Sequence, residues 1–130
     1  MSTVPIICVK NVEETSKTLQ NLFDWTSEHG GSHFDDLVDR KGRSVLWLHD
    51  FNSDHHPRFK EVELKARGIG VSIYVLVKNI DETSAKSQKL DLKIVEELHM
   101  NENARFREFT LQIEDGYFFT VCEKSDWLKI

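Results

Sequence analysis

Residues 9–22 read VKNVEETSKTLQNL and residues 77–90 read VKNIDETSAKSQKL, so the chain contains nearly the same segment twice. Eight of the fourteen aligned positions are identical. Unrelated segments of this length share about one identity by residue frequency alone. An internal repeat of this kind predicts two copies of one supersecondary unit, each about 60 residues long.

Each copy of the repeat carries the signature of a helix start. An Asn side chain accepts a hydrogen bond from a free N–H of the first helical turn, and a Glu three residues later completes a capping box. The pairs Asn11/Glu14 and Asn79/Glu82 have this spacing. They predict helices over residues 12–27 and from 80 to about 90.

Short apolar runs rich in β-branched residues, bounded by turn residues, predict strands around these helices. The predicted strands are Val4–Val9, Phe34–Val38, Ser44–His49, Val71–Val77, Lys93–Glu97, Phe106–Ile113 and Tyr117–Glu123, with room for a further one near residue 51. The fold class is therefore α+β, with one helix and several strands in each copy.

The length of the chain, 130 residues, suits a single domain made of two modules. We place module 1 at about 1–55, a polar connection at about 51–68, module 2 at about 69–124 and a C-terminal tail at 125–130.

Composition excludes several classes of function. The net charge of −5 offers no basic stripe for nucleic acid, and no apolar run is long enough to span a membrane. The N-terminus lacks the pattern of a secretory signal peptide. Cys8 and Cys122 lie in apolar strands near opposite ends of the chain, which indicates buried free thiols and a cytoplasmic protein.

The closing hairpin carries a resemblance to a known family. Residues 105–121 read RFREFTLQIEDGYFFTV, a strand, an Asp-Gly turn and a final strand. With the repeated β-α-β-β order, residues 4–124 resemble the glyoxalase/bleomycin-resistance/extradiol-dioxygenase superfamily, which has the vicinal oxygen chelate fold. The resemblance implies two tandem βαβββ modules that form an incomplete barrel, with helices on the outer face and a pocket on the other face of the sheet.

The resemblance also identifies where a metal would bind. Metal-dependent members place four ligands, usually His, Glu or Gln, on the first and last strands of each module. The matching residues here are Val4, Trp47, Ser72 and Thr120, and a divalent ion of this chemistry requires imidazole or carboxylate ligands instead. A register shift of two residues adds only His49. The resemblance therefore implies a metal-free branch similar to bleomycin-resistance proteins, with no cofactor.

Two other groups of polar residues contain potential metal ligands. His55 and His56 beside Asp54 are interpreted as a solvated turn in the connection. His33 and Asp35 would point the same way on a strand, but no third ligand is near them in the sequence. The chain also has no Gly-rich phosphate loop and no nucleophile elbow.

Strand parity predicts the residues of the pocket, because side chains two apart on a strand share a face. The predicted ligand-binding residues are Val4, Ile6, Trp47, His49, Ser72, Tyr74, Phe118 and Thr120. This mixture of aromatic rings, hydroxyls and one imidazole suits an aromatic ligand, and the acidic balance suits a cationic one. The alternative is that Trp47 and Phe118 fill a collapsed barrel. Arg105 and Arg107 are predicted to face either the pocket rim or the solvent.

The leading hypothesis is a small-molecule-binding protein that sequesters an aromatic or cationic compound without a metal. The resemblance implies clefts formed between two subunits, so a homodimer is expected. One alternative is a metal-dependent lyase, transferase or dioxygenase of the same superfamily, against which the missing ligands count. Another is a non-catalytic structural or interaction protein with a filled barrel.

Overall fold

The computed structural model describes residues 2–52, 59, 68 and 70–123. The chain divides into two compact units, Met1–Lys65 and Ala66–Ile130. Most of the predicted connection, including His55 and His56, and the predicted tail at 125–130 lie outside the described residues.

Unit 1 contains one helix and one four-stranded sheet. Its elements are β1 (Ile6–Cys8), α1 (Val12–Phe23), β2 (Thr26–Ser27), β3 (Phe34–Val38) and β4 (Ser44–His49). The strand order is β1-β4-β3-β2, in which β1 runs parallel to β4 and the other pairs are antiparallel.

Unit 2 repeats this arrangement. Its elements are β5 (Ser72–Val77), α2 (Ile80–Lys89), β6 (Lys93–Asn101), β7 (Phe106–Gln112) and β8 (Phe118–Glu123). The strand order is β5-β8-β7-β6, again with the first and last strands parallel. Each unit is thus one βαβββ module, as the sequence predicts.

The two helices begin as the repeat predicts. Asn11 Oδ1 accepts a hydrogen bond of 3.0 Å from the backbone N–H of Glu14. Asn79 Oδ1 accepts the equivalent bond of 3.1 Å from Glu82. These bonds satisfy one otherwise free N–H at each helix start, so the equivalence of the two copies is confirmed at the level of single atoms.

Several predicted element bounds need correction. Strand β1 covers only Ile6–Cys8 of the predicted Val4–Val9. Helix α1 stops at Phe23 rather than at residue 27, because Asp24 takes a left-handed conformation with φ 57° that ends the helix. Residues 26–27 then form β2, so the extra strand of module 1 lies there and not at residues 51–52. Strand β6 extends to Asn101, beyond the predicted end at Glu97.

The core of each unit lies between its helix and its sheet. Helix α1 contacts β3 and β4, and α2 contacts β7 and β8. The sheet residues beneath the helices are almost fully buried; they include Ile7, Leu37, Leu46, Leu48, Val75, Phe109, Leu111, Phe119 and Val121. Neither described helix is long and apolar enough to cross a membrane.

A buried carboxylate connects the helix of unit 1 to its sheet. Asp35 of β3 is 2% exposed and accepts hydrogen bonds from Ser16 Oγ of α1 at 2.5 Å and Ser27 Oγ at 2.6 Å. The backbone N–H groups of Gly30 and Asp36 also donate to Asp35 Oδ1, at 2.7 and 2.9 Å. Burial by itself raises the pKa of Asp35, but the hydrogen bonds together outweigh it and lower the pKa below the ordinary value of 3.8.

Replacing Asp35 with Asn should lower the free energy of unfolding by about 2 kcal/mol or more at neutral pH, because buried donors lose a charged acceptor. Because the pKa of Asp35 is lower in the folded than in the unfolded protein, its ionised carboxylate stabilises the fold at every pH above the unfolded-state pKa. This stabilisation is lost as the pH falls through the folded-state pKa. The difference between wild type and Asp35→Asn should therefore shrink below about pH 4. Urea unfolding at neutral pH and below about pH 4 measures this difference. Glu28→Gln, which removes a carboxylate from the exposed surface, is the control. A pH-independent difference would contradict the assigned charge.

Candidate functional site

Trp47 is the most prominent predicted residue on the sheet of unit 1. It lies on β4, opposite Ile6 of β1 on one side and Asp36 of β3 on the other. Its side chain remains 37% exposed, and Nε1 donates a hydrogen bond of 3.0 Å to Asp36 Oδ1. Ser44 Oγ donates to Asp36 Oδ2, also at 3.0 Å. The carboxylate therefore fixes the orientation of an indole that solvent can reach.

Aromatic rings continue from Trp47 along the same face. The ring of Phe34 lies 5.9 Å from that of Trp47 and 6.2 Å from that of His49, both in edge-on orientation. His49 in turn lies 5.7 Å from Phe59. Such a row offers aromatic ring edges and faces with few rotatable bonds, which suits an aromatic ligand.

The other two predicted residues of unit 1 are less closely involved. Ile6 is partly buried and shares the face of Trp47 through strand pairing. Val4 precedes β1 and is partly buried, and the neighbouring Pro5 carbonyl accepts the backbone N–H of Trp47 at 3.0 Å. Parity along the first and last strands does not identify Asp36 or Phe34, because both residues lie on β3.

Hydroxyl groups occupy the centre of the sheet in unit 2. Ser72 Oγ and Thr120 Oγ1 are 2.7 Å apart, and Thr120 Oγ1 is 2.9 Å from Thr110 Oγ1. The structure thus brings together two of the predicted residues, which the resemblance implies are at the positions of metal ligands. Their lone pairs and protons are used in hydrogen bonds to each other, and neutral hydroxyls are weak ligands for a transition metal.

Tyr74 and Phe118 complete the predicted residues of unit 2. Tyr74 lies opposite Thr120 and is 55% exposed, whereas Phe118 lies opposite Ser72 and is partly buried. Burial of the hydroxyl, and then the negative charge of Glu108, raises the pKa of Tyr74 above its ordinary value of 10.0. Tyr74 is therefore a neutral hydrogen-bond donor at physiological pH.

The face of unit 2 also carries charged residues that the sequence argument missed. Glu108 of β7 lies opposite both Cys122 of β8 and His99 of β6, and its exposed fraction is only 6%. Side-chain donor atoms of Glu96, His99 and Glu108 all lie within 4.8 Å of one another. Parity along β7 would have found Glu108, since Thr110 and Glu108 share the face of Thr120.

Both cysteines are buried free thiols, as predicted. Burial first, and then the charges of Glu108 and Glu123, raises the pKa of Cys122 to about 11. The thiol is therefore protonated at physiological pH and is a poor nucleophile. Cys8 Sγ donates to the backbone carbonyl of Asp50 at 3.3 Å.

The structure places three of the remaining sequence candidates. His33 Nδ1 lies 2.5 Å from Asp50 Oδ2, whereas Asp35 points into the core, so the two residues do not form a metal site together. Arg107 binds Glu123 at 3.1 Å and Asp81 at 3.2 Å, both on the helix side of the sheet. It therefore does not contribute to the predicted pocket face.

A groove of about 450 Å³ lies at one end of unit 2. It is lined by residues that follow α2 and surround the turn between β7 and β8, namely Asp91, Leu92, Lys93, Gln112, Ile113, Glu114 and Gly116. None of the eight predicted ligand-binding residues lines this groove.

Comparison with known proteins gives matches in structure alone. No protein-family model matches the chain, and no curated protein matches it in sequence. A glyoxalase/bleomycin resistance protein/dioxygenase family enzyme from Burkholderia phytofirmans PsJN superposes with a TM-score of 0.77 at 11% identity, covering 92% of this chain and 95% of that one.

Two further solved structures are similar over nearly their full lengths. The fosfomycin resistance protein FosX from Listeria monocytogenes has a TM-score of 0.72 at 15% identity, covering 97% of this chain and 94% of that one. TioX from Micromonospora sp. ML1 has a TM-score of 0.68 at 14% identity, covering 96% and 97%. With its two βαβββ units, the chain has the vicinal oxygen chelate fold of the glyoxalase/bleomycin-resistance/dioxygenase superfamily.

Proposed function

We propose that the protein binds a small aromatic or cationic molecule in the cytoplasm and sequesters it without chemical change. The observation that carries this proposal is the exposed indole of Trp47, held by Asp36 within a row of aromatic rings. A solvent-accessible aromatic side chain with a fixed orientation loses little conformational entropy when a flat ligand stacks on it. The net charge of −5 favours a cation over an anion.

The similar structures support a small-molecule role. They include a fosfomycin resistance protein and a glyoxalase/bleomycin resistance protein/dioxygenase family enzyme. Because fold similarity at this identity does not transfer chemistry, the argument for binding depends on the side chains of this chain.

We propose that this binding does not require a metal at the four positions used by metal-dependent relatives. Trp47 donates its N–H to Asp36, and Ser72 and Thr120 are hydrogen-bonded to each other. Val4 has no donor atom in its side chain. A lyase, transferase or dioxygenase that relied on a metal there would lack its ligands, which favours binding over the enzymatic alternative.

A thermal-shift screen of planar cationic aromatic compounds tests the proposed function. A ligand that binds only the folded protein raises its stability by RT ln(1 + [L]/Kd), so hits should raise the melting temperature in a concentration-dependent way. The increase should be the same before and after dialysis against EDTA, and the compound should be recovered unchanged. Loss of binding after EDTA treatment would favour the metalloenzyme, and no hit among cationic or neutral aromatics would favour the filled barrel.

Replacing Trp47 with Ala should weaken binding of such a ligand by about 2 kcal/mol or more, as truncation of an aromatic anchor does. Because Trp47 is partly exposed, its replacement should lower the free energy of unfolding by less than the roughly 3–5 kcal/mol that truncation of a fully buried aromatic residue costs. Calorimetric titration and urea unfolding on one variant measure both.

Trp25 provides a matched control for this variant. It packs against Phe23 at the end of α1, with ring centroids 4.8 Å apart, rather than in the aromatic row of the sheet. Trp25→Ala should leave ligand affinity unchanged. Equal losses of affinity in the two variants, or a large loss of stability in Trp47→Ala without loss of affinity, would contradict the assignment of Trp47.

We also propose that the protein is a homodimer. Strand β5 is at an edge of its sheet and carries the 55% exposed Tyr74, and the 54% exposed Val71 immediately precedes the strand. Exposed edge strands with apolar side chains tend to be covered by another chain, and two-fold pairing is the commonest soluble symmetry.

Sedimentation at micromolar concentration should therefore show about twice the mass of 15.2 kDa. Tyr74→Lys should shift it to the monomer, whereas a wild-type monomer would refute the dimer.

A further inference from the structure

We propose that Glu96, His99 and Glu108 form a binding site for a divalent transition-metal ion on the face of unit 2. One donor atom from each residue lies within 4.8 Å of the others. The donors are two carboxylate oxygens and one imidazole nitrogen, which together suit Zn²⁺ or Mn²⁺ better than Mg²⁺ or Ca²⁺. Three protein ligands leave at least one coordination position open to water or to another molecule.

Glu108 is the residue that most requires a cation. It is 6% exposed, and its Oε2 atom is buried without a partner at hydrogen-bond distance among the residues that the structure describes, while the Tyr74 hydroxyl is a second polar neighbour of this carboxylate. Asn101 Nδ2 donates to the other oxygen, Oε1, at 2.9 Å and so fixes the carboxylate. A buried carboxylate with one unsatisfied oxygen is costly, and a bound cation removes that cost.

His99 is oriented as a metal ligand. Its Nδ1 lies 2.7 Å from the backbone carbonyl oxygen of Glu97, and a carbonyl can only accept, so Nδ1 carries a proton. In the neutral ring Nε2 then has a lone pair, and it lies 3.7 Å from Glu108 Oε1. Two acceptors that face each other at this distance need a cation or a proton between them. A metal-bound histidine typically donates its second ring N–H to a carbonyl in this way.

An irregular strand brings Glu96 to the same site. In a regular strand, His99 would share its face with Glu97 and not with Glu96. The pairing of β6 with β7 shifts between Glu96 and His99, so that Glu96 lies opposite Thr110 and His99 opposite Glu108. Since Thr110 and Glu108 are two residues apart on β7, both partners point to one face. Bulges of this kind are frequent next to functional sites, where they redirect a side chain.

The site is distinct from the one that metal-dependent relatives use. Its residues lie on β6 and β7, the second and third strands of the unit, whereas the superfamily positions lie on the first and last strands. Glu96 and His99 are exposed, which gives an ion access from solvent, while Glu108 forms the buried base. The inference does not depend on the proposed aromatic ligand, and its test requires none.

Calorimetric titration of Zn²⁺ into the full-length protein, after EDTA treatment and in the presence of a thiol reductant, tests the site. We expect one equivalent to bind, and His99→Ala and Glu108→Gln should each weaken binding by about tenfold or more. Glu97→Gln is the matched control, because it removes a neighbouring carboxylate but keeps the carbonyl that orients His99. A His55→Ala/His56→Ala double variant controls for zinc binding in the connection.

A second measurement separates a metal site from a simple ion pair. Without metal, Glu108→Gln should melt at the same temperature as wild type or higher, because a neutral amide replaces a buried charge. With Zn²⁺, wild type and Glu97→Gln should gain stability and Glu108→Gln should not. The proposal is overturned if Zn²⁺ does not bind, if all variants bind it equally, or if only the histidine pair of the connection is needed. It is also overturned if Glu108→Gln lowers the melting temperature without metal, since Glu108 would then be paired with a protonated His99.

Discussion

Parallel pairing between the first and last strands of each unit is the constraint on which the rest of the structure depends. Two neighbouring parallel strands cannot be joined by a tight turn, so the intervening chain must cross over and return. In unit 1, α1 and two antiparallel strands occupy this crossover, and in unit 2, α2 with β6 and β7 does the same. The helix then covers one face of the sheet. The other face is left for polar and aromatic side chains, and all the candidate functional residues lie there.

The repeated segment made the fold predictable from sequence, because it contains the local signals that place each helix. The Asn caps and the apolar strands agree between the copies, so the errors are at element ends such as Asp24 and in the position of the short strand β2. Parity along the first and last strands correctly placed Trp47 in unit 1, and Thr120 and Tyr74 in unit 2, on the sheet face that the helix does not cover. The cluster at Glu96, His99 and Glu108 was beyond this reasoning, because one shift in register replaces Glu97 with Glu96 on that face. The residue types in this strand do not predict such a shift in register.

The two units have kept one backbone and diverged in the chemistry of their sheet faces. Trp47 lies opposite Ile6, and Thr120 lies opposite Tyr74, the repeat equivalent of Ile6. The indole and the carboxylate that holds it in unit 1 thus correspond to a pair of bonded threonines in unit 2. Unit 1 presents aromatic surface, whereas unit 2 presents hydroxyls and a buried carboxylate. Duplication of a module followed by change on one face supplies two kinds of recognition within one short chain.

The irregular pairing of β6 has a consequence for how this protein can change over evolutionary time. Glu96 and His99 are three residues apart, so regular pairing of the same residues would transfer one of the two to the helix side. Loss of one residue between them would instead leave the pair two residues apart, on one face of a regular strand. The chemistry of the face is thus encoded partly in how a strand pairs, and a substitution that removes the irregularity would abolish the cluster without changing any of its three residues.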